Sequence, residues 1–147
     1  IDIFVTSLSL IIDEEKIYRA AKENAWTIGT TSLGTPSITM NISGSDITVD
    51  LYENIMDFYI PVDFIELCRK THTIDNIEVA YTALECWIVL KARRGAGQDI
   101  AMLSTVKELY DRNELKLNLN LLKKAIDLYE EDSPYIYDRL RGLGFNI

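Results

Sequence analysis

The sequence has very few of the residues that usually bind zinc, because His72 is its only histidine and Cys68 and Cys86 are its only cysteines. No zinc site is therefore expected. The sequence also lacks the Gly-Lys-Ser/Thr phosphate loop and the Gly-x-Gly-x-x-Gly fingerprint, which excludes the two commonest glycine-rich nucleotide-binding loops. Any nucleotide site in this chain must therefore be built in another way.

Long apolar runs and basic residues are also scarce. No apolar run approaches the roughly 20 residues of a membrane-spanning helix, and we predict a cytoplasmic protein with no membrane partner. The 15 Lys and Arg stand against 23 Asp and Glu, giving a net charge of −8. This charge repels polyanions and excludes a broad coat on nucleic acid. A local basic site remains open at Lys91, Arg93 and Arg94, although these cations equally suit a solvated helix end.

The composition is that of an ordinary globular chain, with 48% apolar and 26% charged residues over 147 positions. This length predicts one domain, or one domain with a small appendage. Cys68 and Cys86 lie in apolar segments that are predicted to be helical. Two buried free thiols are the preferred interpretation in a cytoplasmic protein, and a disulfide is the alternative.

The first half of the chain predicts strands around one helix. Residues 1–10 alternate and then become apolar, which predicts a buried strand, and a helix capped by Asp13 follows. The best hairpin signal joins Ser37–Ile42 to Ile47–Tyr52 through a Ser-Gly-Ser-Asp turn. On the second of these strands, the period-two pattern places Asp50 opposite the aliphatic face.

The second half predicts mainly helices. A short helix follows Pro61, and Ile77–Ala80 is a short strand. Thr82-Ala83-Leu84-Glu85 predicts a capping box that starts a helix reaching about Arg94. Further helices are predicted over about 98–110, around 119–129 and from Ser133 onward. The order of elements therefore predicts an α+β fold, with a small mixed sheet, flanking helices and a helical C-terminal segment.

Two strands of this prediction carry an aspartate each, Asp2 and Asp50. Carboxylates on neighbouring strands can share Mg²⁺, which prefers oxygen ligands and keeps waters for substrate phosphates. Such an ion neutralises the charge on a transferring phosphoryl or nucleotidyl group. Lys91 can add a positive point charge for a triphosphate. The alternative is that each aspartate is only an exposed polar position on its strand.

The order of these residues resembles the nucleotidyltransferase superfamily, which has the DNA polymerase β-like fold. Within it, the chain looks closest to the small prokaryotic branch of AbiEii-type toxins. In the superfamily, an Asp-x-Asp strand supplies two carboxylates and a later strand supplies a third. Asp2, in Ile-Asp-Ile-Phe-Val, matches the second carboxylate, and Asp50, in Ile-Thr-Val-Asp-Leu, matches the third. Lys91 and Asp99 match a lysine and a later aspartate of the AbiEii-like branch.

The resemblance implies both an architecture and a reaction. Residues 1–110 would form a nucleotidyltransferase-like domain, truncated at its N-terminus, and residues 111–147 would form a helical extension packed on it. The implied reaction transfers a nucleotidyl group from a nucleoside triphosphate to a hydroxyl of an RNA or a protein, with Mg²⁺ or Mn²⁺ as cofactor. The AbiEii-like branch further implies a toxin with an antitoxin partner.

The resemblance also implies the site residues. They are the metal ligands Asp2 and Asp50, the catalytic residues Asp50, Lys91 and Asp99, and the nucleotide-binding residue Lys91. The local basic site adds Arg93 and Arg94 as candidate nucleotide-binding residues. The first carboxylate of the Asp-x-Asp motif is expected directly before Ile1.

A second interpretation comes from a different functional class. The chain would keep the nucleotidyltransferase fold without a complete acidic set and would bind a protein partner through its C-terminal helices. Nucleotide and Mg²⁺ binding separates the two interpretations, because an interaction module should bind neither.

Overall fold

The computed structural model describes residues 1–55 and 58–147. The chain divides into two compact units, Ile1–Tyr59 and Ile60–Ile147. Within the described residues, every helix is too short or too polar to cross a membrane. The secondary structure is mixed, which confirms the predicted α+β class.

The first unit is a four-stranded sheet with one helix in its described residues. Its elements are β1 (Asp2–Phe4), α1 (Glu14–Glu23), β2 (Thr27–Thr30), β3 (Pro36–Ile42) and β4 (Ser45–Tyr52). The strand order is β1-β4-β3-β2. β1 runs parallel to β4, whereas β3 is antiparallel to both of its neighbours. The sheet is therefore mixed, as predicted.

The predicted hairpin is present as β3 and β4, with a tighter turn than expected. Only Ser43 and Gly44 lie outside the paired strands, and their φ angles are 53° and 84°. Two successive positive φ angles are typical of the two-residue turns that match strand twist. The side chain of Asn41 accepts a hydrogen bond from the Gly44 amide and donates one to Asp46. These contacts close the turn end of the hairpin.

The sheet has one apolar and one polar face. Ile38, Ile47, Val49 and Leu51 alternate with polar residues along β3 and β4, and Val49 is buried. α1 contacts β2 and β3, and its Ile17 and Ala21 are buried. A sheet covered by a helix on its apolar face can keep polar side chains on the opposite face.

The prediction of a buried first strand over residues 1–10 is wrong. β1 has only three residues, and Ile1 and Ile3 are 71% and 43% exposed. The physical reason is its position, since β1 is an edge strand that pairs with β4 alone. Leu10 is buried, but it lies outside any strand.

The second unit is built around one helix. Its elements are α2 (Val62–Cys68), β5 (Arg69–Ile74), β6 (Ile77–Thr82), α3 (Leu84–Arg94), α4 (Gly97–Asp111), α5 (Leu119–Asp127), a 3₁₀ turn (Glu130–Asp132) and α6 (Ser133–Gly142). α3 contacts α2, α4, α5 and α6, and its Cys86, Ile88, Val89 and Ala92 are fully buried. The helical segment beyond residue 111 therefore packs on α3. The predicted domain boundary at residues 110/111, which differs from the division between the compact units, stays a prediction.

The prediction missed β5, which pairs with the predicted strand β6. Every residue of β5 and β6 is exposed. The sequence of β5, Arg-Lys-Thr-His-Thr-Ile, accordingly shows no alternation of apolar and polar residues that would predict a strand. The turn between them is formed by Asp75 and Asn76, whose φ angles are 49° and 65°. Two-residue hairpin turns prefer Asn-Gly or Asp-Gly. Asp75-Asn76 resembles these pairs but lacks the glycine, so it indicates a hairpin only weakly.

The capping box predicted at Thr82 is wrong. Thr82 is the last residue of β6, and Ala83 occupies the N-cap of α3 without a side-chain hydrogen bond. The carboxylate of Glu85 is nearly buried and accepts a hydrogen bond from the backbone N–H of Asn118, at 2.8 Å. Glu85 therefore fastens the start of α5 to α3, because a buried carboxylate requires a donor.

The prediction of two free thiols is also wrong, because Cys68 and Cys86 form a disulfide. The backbone N–H of Ala83 donates to the carbonyl of Cys68 at 2.8 Å, which brings the start of α3 beside the end of α2. The two Cα atoms are consequently 5.8 Å apart, within the range that a disulfide spans. Both sulfur-bearing residues are buried.

We expect this disulfide to stabilise the second unit. The bonded cysteines are separated by 18 positions, and closing a loop of about this size contributes about 3 kcal/mol to the free energy of unfolding. Urea unfolding of the oxidised protein should therefore shift to lower urea when a reductant is added.

The matched control is the double variant Cys68→Ala/Cys86→Ala, whose unfolding should not respond to the reductant. Thiol titration of the denatured protein, purified without reductant, checks the bond directly. Two titratable thiols per chain would contradict it.

Candidate functional site

The two predicted metal ligands lie side by side in the first unit. β1 and β4 pair so that Asp2 is opposite Asp50, and the backbone N–H of Asp50 donates to the carbonyl of Ile1 at 2.8 Å. Neighbouring strands lie about 4.8 Å apart, and residues in register extend from the same face. The sheet therefore brings both carboxylates together on its polar face.

A third side chain, from β3, joins this pair. Ser37 lies opposite Asp50 in the antiparallel register, and its hydroxyl donates to Oδ1 of Asp50 at 2.5 Å. Gly29 on β2 continues the row, and a Cβ added there would meet no atom within 4 Å. The row from Gly29 through Ser37 and Asp50 to Asp2 thus crosses all four strands.

The carboxylates lie between hydroxyl groups and aromatic rings on this face. Closer to the hairpin turn, the hydroxyls of Thr39 and Thr48 lie 3.1 Å apart. Farther from the turn are Phe4 and Tyr52, whose ring centroids lie 6.2 Å and 5.4 Å from that of Phe58. The acidic row is therefore bordered by polar groups on one side and an apolar cluster on the other.

The acidic row suits a divalent cation with oxygen ligands. Asp2 is exposed and Asp50 is half-buried. In the described part of the chain, Oδ2 of Asp50 and both carboxylate oxygens of Asp2 accept no hydrogen bond. The described residues contain no group of three or more His, Cys, Asp or Glu that could hold a metal. Two carboxylates nevertheless fit Mg²⁺, which commonly uses one or two of them and fills its remaining positions with water and phosphate oxygens.

The second unit holds another charged cluster, centred on Asp99 at the start of α4. Asp99 is fully buried. Arg94 binds it with two hydrogen bonds, from Nε at 2.6 Å and from Nη2 at 2.5 Å. Nζ of Lys91 lies 3.5 Å from Oδ1, and the backbone N–H of Ala96 donates to Oδ2 at 3.1 Å. One carboxylate therefore links the end of α3 to the start of α4.

The turn between these helices is also held from its other side. Gly95 ends α3 with φ +62°, and its N–H donates to the carbonyl of Lys91 at 2.9 Å. The guanidinium of Arg139 on α6 donates to the carbonyl of Ala92, and also to that of Arg93 at 3.2 Å. Carbonyls at the end of a helix lack partners within it. Arg139 supplies those partners for α3.

The charges around Asp99 determine its protonation. The hydrogen bond from Arg94 is the main cause that lowers the pKa of Asp99 below its usual range, and burial opposes it. The charges of Arg94 and Lys91 and the Ala96 amide lower the pKa further. Asp99 is therefore ionised at neutral pH, and it compensates part of the positive charge of Lys91 and Arg94.

The remaining predicted cations also have intramolecular contacts. The Lys91 side chain is 16% exposed, and its ammonium lies 5.6 Å from the ring centroid of Trp87. Nε of Arg93 lies 2.6 Å from the carboxylate of Asp132, and its guanidinium lies 4.8 Å from the ring centroid of Tyr129. The nucleotide-binding roles of Lys91, Arg93 and Arg94 and the catalytic role of Asp99 stay predictions.

Two side chains around these clusters were not predicted. The contact of Ser37 with Asp50 follows from the register of the hairpin, in which each residue of β3 pairs with the residue of β4 that is equally far from the turn. The predicted turn is two residues longer than the observed one, so counting from it does not place Ser37 opposite Asp50. No sequence pattern predicts the contact of Arg139 with the end of α3, because tertiary packing brings α6 to α3.

A family model described as nucleotidyl transferase of unknown function (DUF2204) matches residues 1–142. No curated protein and no solved structure matches the chain.

We expect Gly95→Ala to destabilise the second unit. A non-glycine residue in the left-handed region costs about 1–2 kcal/mol, and an added Cβ would overlap the guanidinium of Arg139. The side chain would have to leave the carbonyls of Ala92 and Arg93. The matched control is Gly142→Ala, where an added Cβ meets no atom within 4 Å and φ is not positive. Equal urea midpoints for the two variants would contradict the role given to Gly95.

The Asp99 cluster predicts a pH-dependent loss of stability in Asp99→Asn. Breaking a buried ion pair costs about 3–5 kcal/mol, and we expect about 3 kcal/mol at pH 7, because the Arg94 side chain is 54% exposed and stays partly solvated. Since the folded pKa of Asp99 is lowered, the wild-type advantage is complete above the ordinary value of 3.8 and is lost as the pH falls through the folded value.

Urea unfolding followed by tryptophan fluorescence between pH 7 and pH 3 measures this difference. Asp138→Asn is the control, because that side chain is 83% exposed and surface changes usually alter stability by about 0.5 kcal/mol or less. A difference between wild type and Asp99→Asn that stayed constant down to pH 3 would contradict the assignment.

Proposed function

The chain belongs to this family of nucleotidyl transferases, and we propose that it transfers a nucleotidyl group from a nucleoside triphosphate to a hydroxyl of an RNA or a protein, with Mg²⁺ or Mn²⁺ as cofactor. The observation that carries the proposal is the parallel register that pairs Asp2 with Asp50 on the polar face of the sheet. The family supports nucleotidyl transfer in general, and the cofactor and the acceptor are the additions made here.

Asp2 and Asp50 are the residues that would hold the cation. When bound, Mg²⁺ would neutralise the charge that develops on the phosphate groups during transfer. The two carboxylates are held on paired strands, so the cation needs little rearrangement of the backbone.

Asp50 is also the candidate general base. Its carboxylate would accept the proton of the acceptor hydroxyl. The hydroxyl oxygen then forms a bond to the α-phosphorus, the bond from that phosphorus to the β-phosphate oxygen breaks, and pyrophosphate leaves. The aromatic cluster of Phe4, Tyr52 and Phe58 borders the acidic row and would limit access of water from that side.

Lys91 would bind phosphate oxygens as a compact positive charge. Its ammonium lies 3.5 Å from Asp99, which restricts its position, and this agrees with an orienting role for Asp99. Arg94 binds the same carboxylate, and Arg93 lies between Lys91 and Arg94 on α3. These residues form the proposed nucleotide-binding group of the second unit.

The AbiEii-toxin-like branch is the narrower part of the proposal. It is supported by the order of Asp2, Asp50, Lys91 and Asp99 along the chain. A toxin with net charge −8 would suit a basic antitoxin partner, because complementary charge favours association.

Asp50→Asn should abolish transfer without unfolding the protein. We expect at least a 100-fold loss, because general-base catalysis alone contributes about 10²- to 10⁴-fold and the substitution also removes a ligand charge. The assay is Mg²⁺-dependent incorporation of label from each of the four α-³²P-labelled nucleoside triphosphates into total RNA or into protein, with the full-length protein.

Asp46→Asn is the matched control. Asp46 lies on the same strand and the same face as Asp50, but its carboxylate accepts from Asn41 at the exposed end of the hairpin. It should keep wild-type turnover. Unchanged turnover in Asp50→Asn would overturn the assignment of Asp50. A wild-type protein that binds neither nucleotide nor Mg²⁺ would favour the interaction module instead.

A further inference from the structure

The hydrogen bond between Ser37 and Asp50 has the geometry of a charge-assisted contact. The donor and acceptor oxygens are 2.5 Å apart, at the short end of the range for a hydroxyl that donates to a carboxylate. Both residues are half-buried. Of the two carboxylate oxygens of Asp50, only Oδ1 accepts this bond. Oδ2 therefore remains available for another partner.

Ser37 is rigidly placed for this contact. It lies within β3, between neighbouring strands on both sides, and its register partners are Asp50 on β4 and Gly29 on β2. A hydroxyl on a central strand has little freedom except rotation about its own side-chain bond. The carboxylate of Asp50, which could otherwise rotate about two bonds, is held in one orientation beside Asp2.

Two other side-chain pairs on the same strands serve as a comparison. Asn41 and Asp46 lie at the turn end of the hairpin, where Asn41 also accepts from the Gly44 amide, so this pair closes the turn. Thr39 and Thr48 form a hydrogen bond between two neutral hydroxyls, and this pair contributes only to the pairing of the two strands. The pair of Ser37 and Asp50 is remote from the turn and includes one of the two carboxylates of the acidic row.

We propose that Ser37 is a positioning residue that holds Oδ1 of Asp50 and so directs Oδ2 toward a divalent cation shared with Asp2. The proposal rests on the proposed function and deepens it. Hydrogen bonds to ligating carboxylates are known to set ligand orientation, and their loss typically lowers metal affinity about 10- to 100-fold. A neutral donor such as serine fixes the carboxylate without neutralising its charge.

The test measures binding of Mn²⁺ alone by electron paramagnetic resonance. Ser37→Ala should weaken Mn²⁺ binding about 10- to 100-fold. Ser37→Thr keeps the hydroxyl and adds a β-branch that strands favour, so it should restore affinity close to that of the wild type. Thr39→Ala removes a hydroxyl from the same strand and face without touching a carboxylate, and it should bind Mn²⁺ normally.

Turnover provides a second measurement. In Ser37→Ala, the Mg²⁺ concentration for half-maximal activity should rise, while activity at saturating Mg²⁺ falls much less than in Asp50→Asn. A general loss of sheet stability would instead lower activity at every Mg²⁺ concentration and would appear equally in Thr39→Ala. Urea unfolding of all variants identifies that case, which would overturn the positioning role.

The remaining outcomes separate the two proposals. If wild type binds Mn²⁺, Asp50→Asn does not and Ser37→Ala equals wild type, the role of Ser37 is overturned and the proposed function stands. If the full-length wild type binds no Mn²⁺, the proposed cofactor is overturned, and the role of Ser37 with it.

Discussion

The parallel pairing of β1 with β4 is the constraint on which the acidic site depends. β1 is only three residues long and lies at the edge of the sheet, so its register is set by a few backbone hydrogen bonds. A shift of one residue would turn Asp2 to the apolar face, because side chains alternate along a strand. The acidic site depends equally on the hairpin of β3 and β4, because its two-residue turn sets the register that places Ser37 opposite Asp50.

The second unit depends on a different interaction, a buried carboxylate between two helices. Asp99 caps α4 through the Ala96 amide and binds the guanidinium of Arg94 near the end of α3. Gly95 makes the turn possible, and Arg139 satisfies the carbonyls that α3 leaves there. Lys91 is positioned as a result, because its ammonium lies beside the same carboxylate.

Local patterns could be predicted from the sequence, whereas tertiary contacts could not. The hairpin, the short helix after Pro61 and the end of α3 at Arg94 follow from turn chemistry, proline and glycine. β5 has no apolar alternation and was missed. The capping box failed because Glu85 binds the Asn118 amide, a residue 33 positions away. The disulfide was misjudged for the same reason, since only the folded chain brings Cys68 beside Cys86. The pairing of Asp2 with Asp50 joins strands 48 positions apart, and it was expected from a family resemblance rather than from local pattern.

The contrast between the two partnered carboxylates suggests how their functions differ. Asp99 is fully buried, and its charge is compensated by a guanidinium and an ammonium, so using it as a base or a ligand would require a buried ion pair to be broken. Asp50 is half-buried, and its Oδ1 accepts a hydrogen bond from the neutral hydroxyl of Ser37. Among residues 1–55 and 58–147 it forms no ion pair, so its charge is oriented by Ser37 without being neutralised, next to a second carboxylate in Asp2. A pair of neighbouring carboxylates is stabilised by a divalent cation, and this is the physical basis for proposing Asp2 and Asp50, rather than Asp99, as the metal ligands.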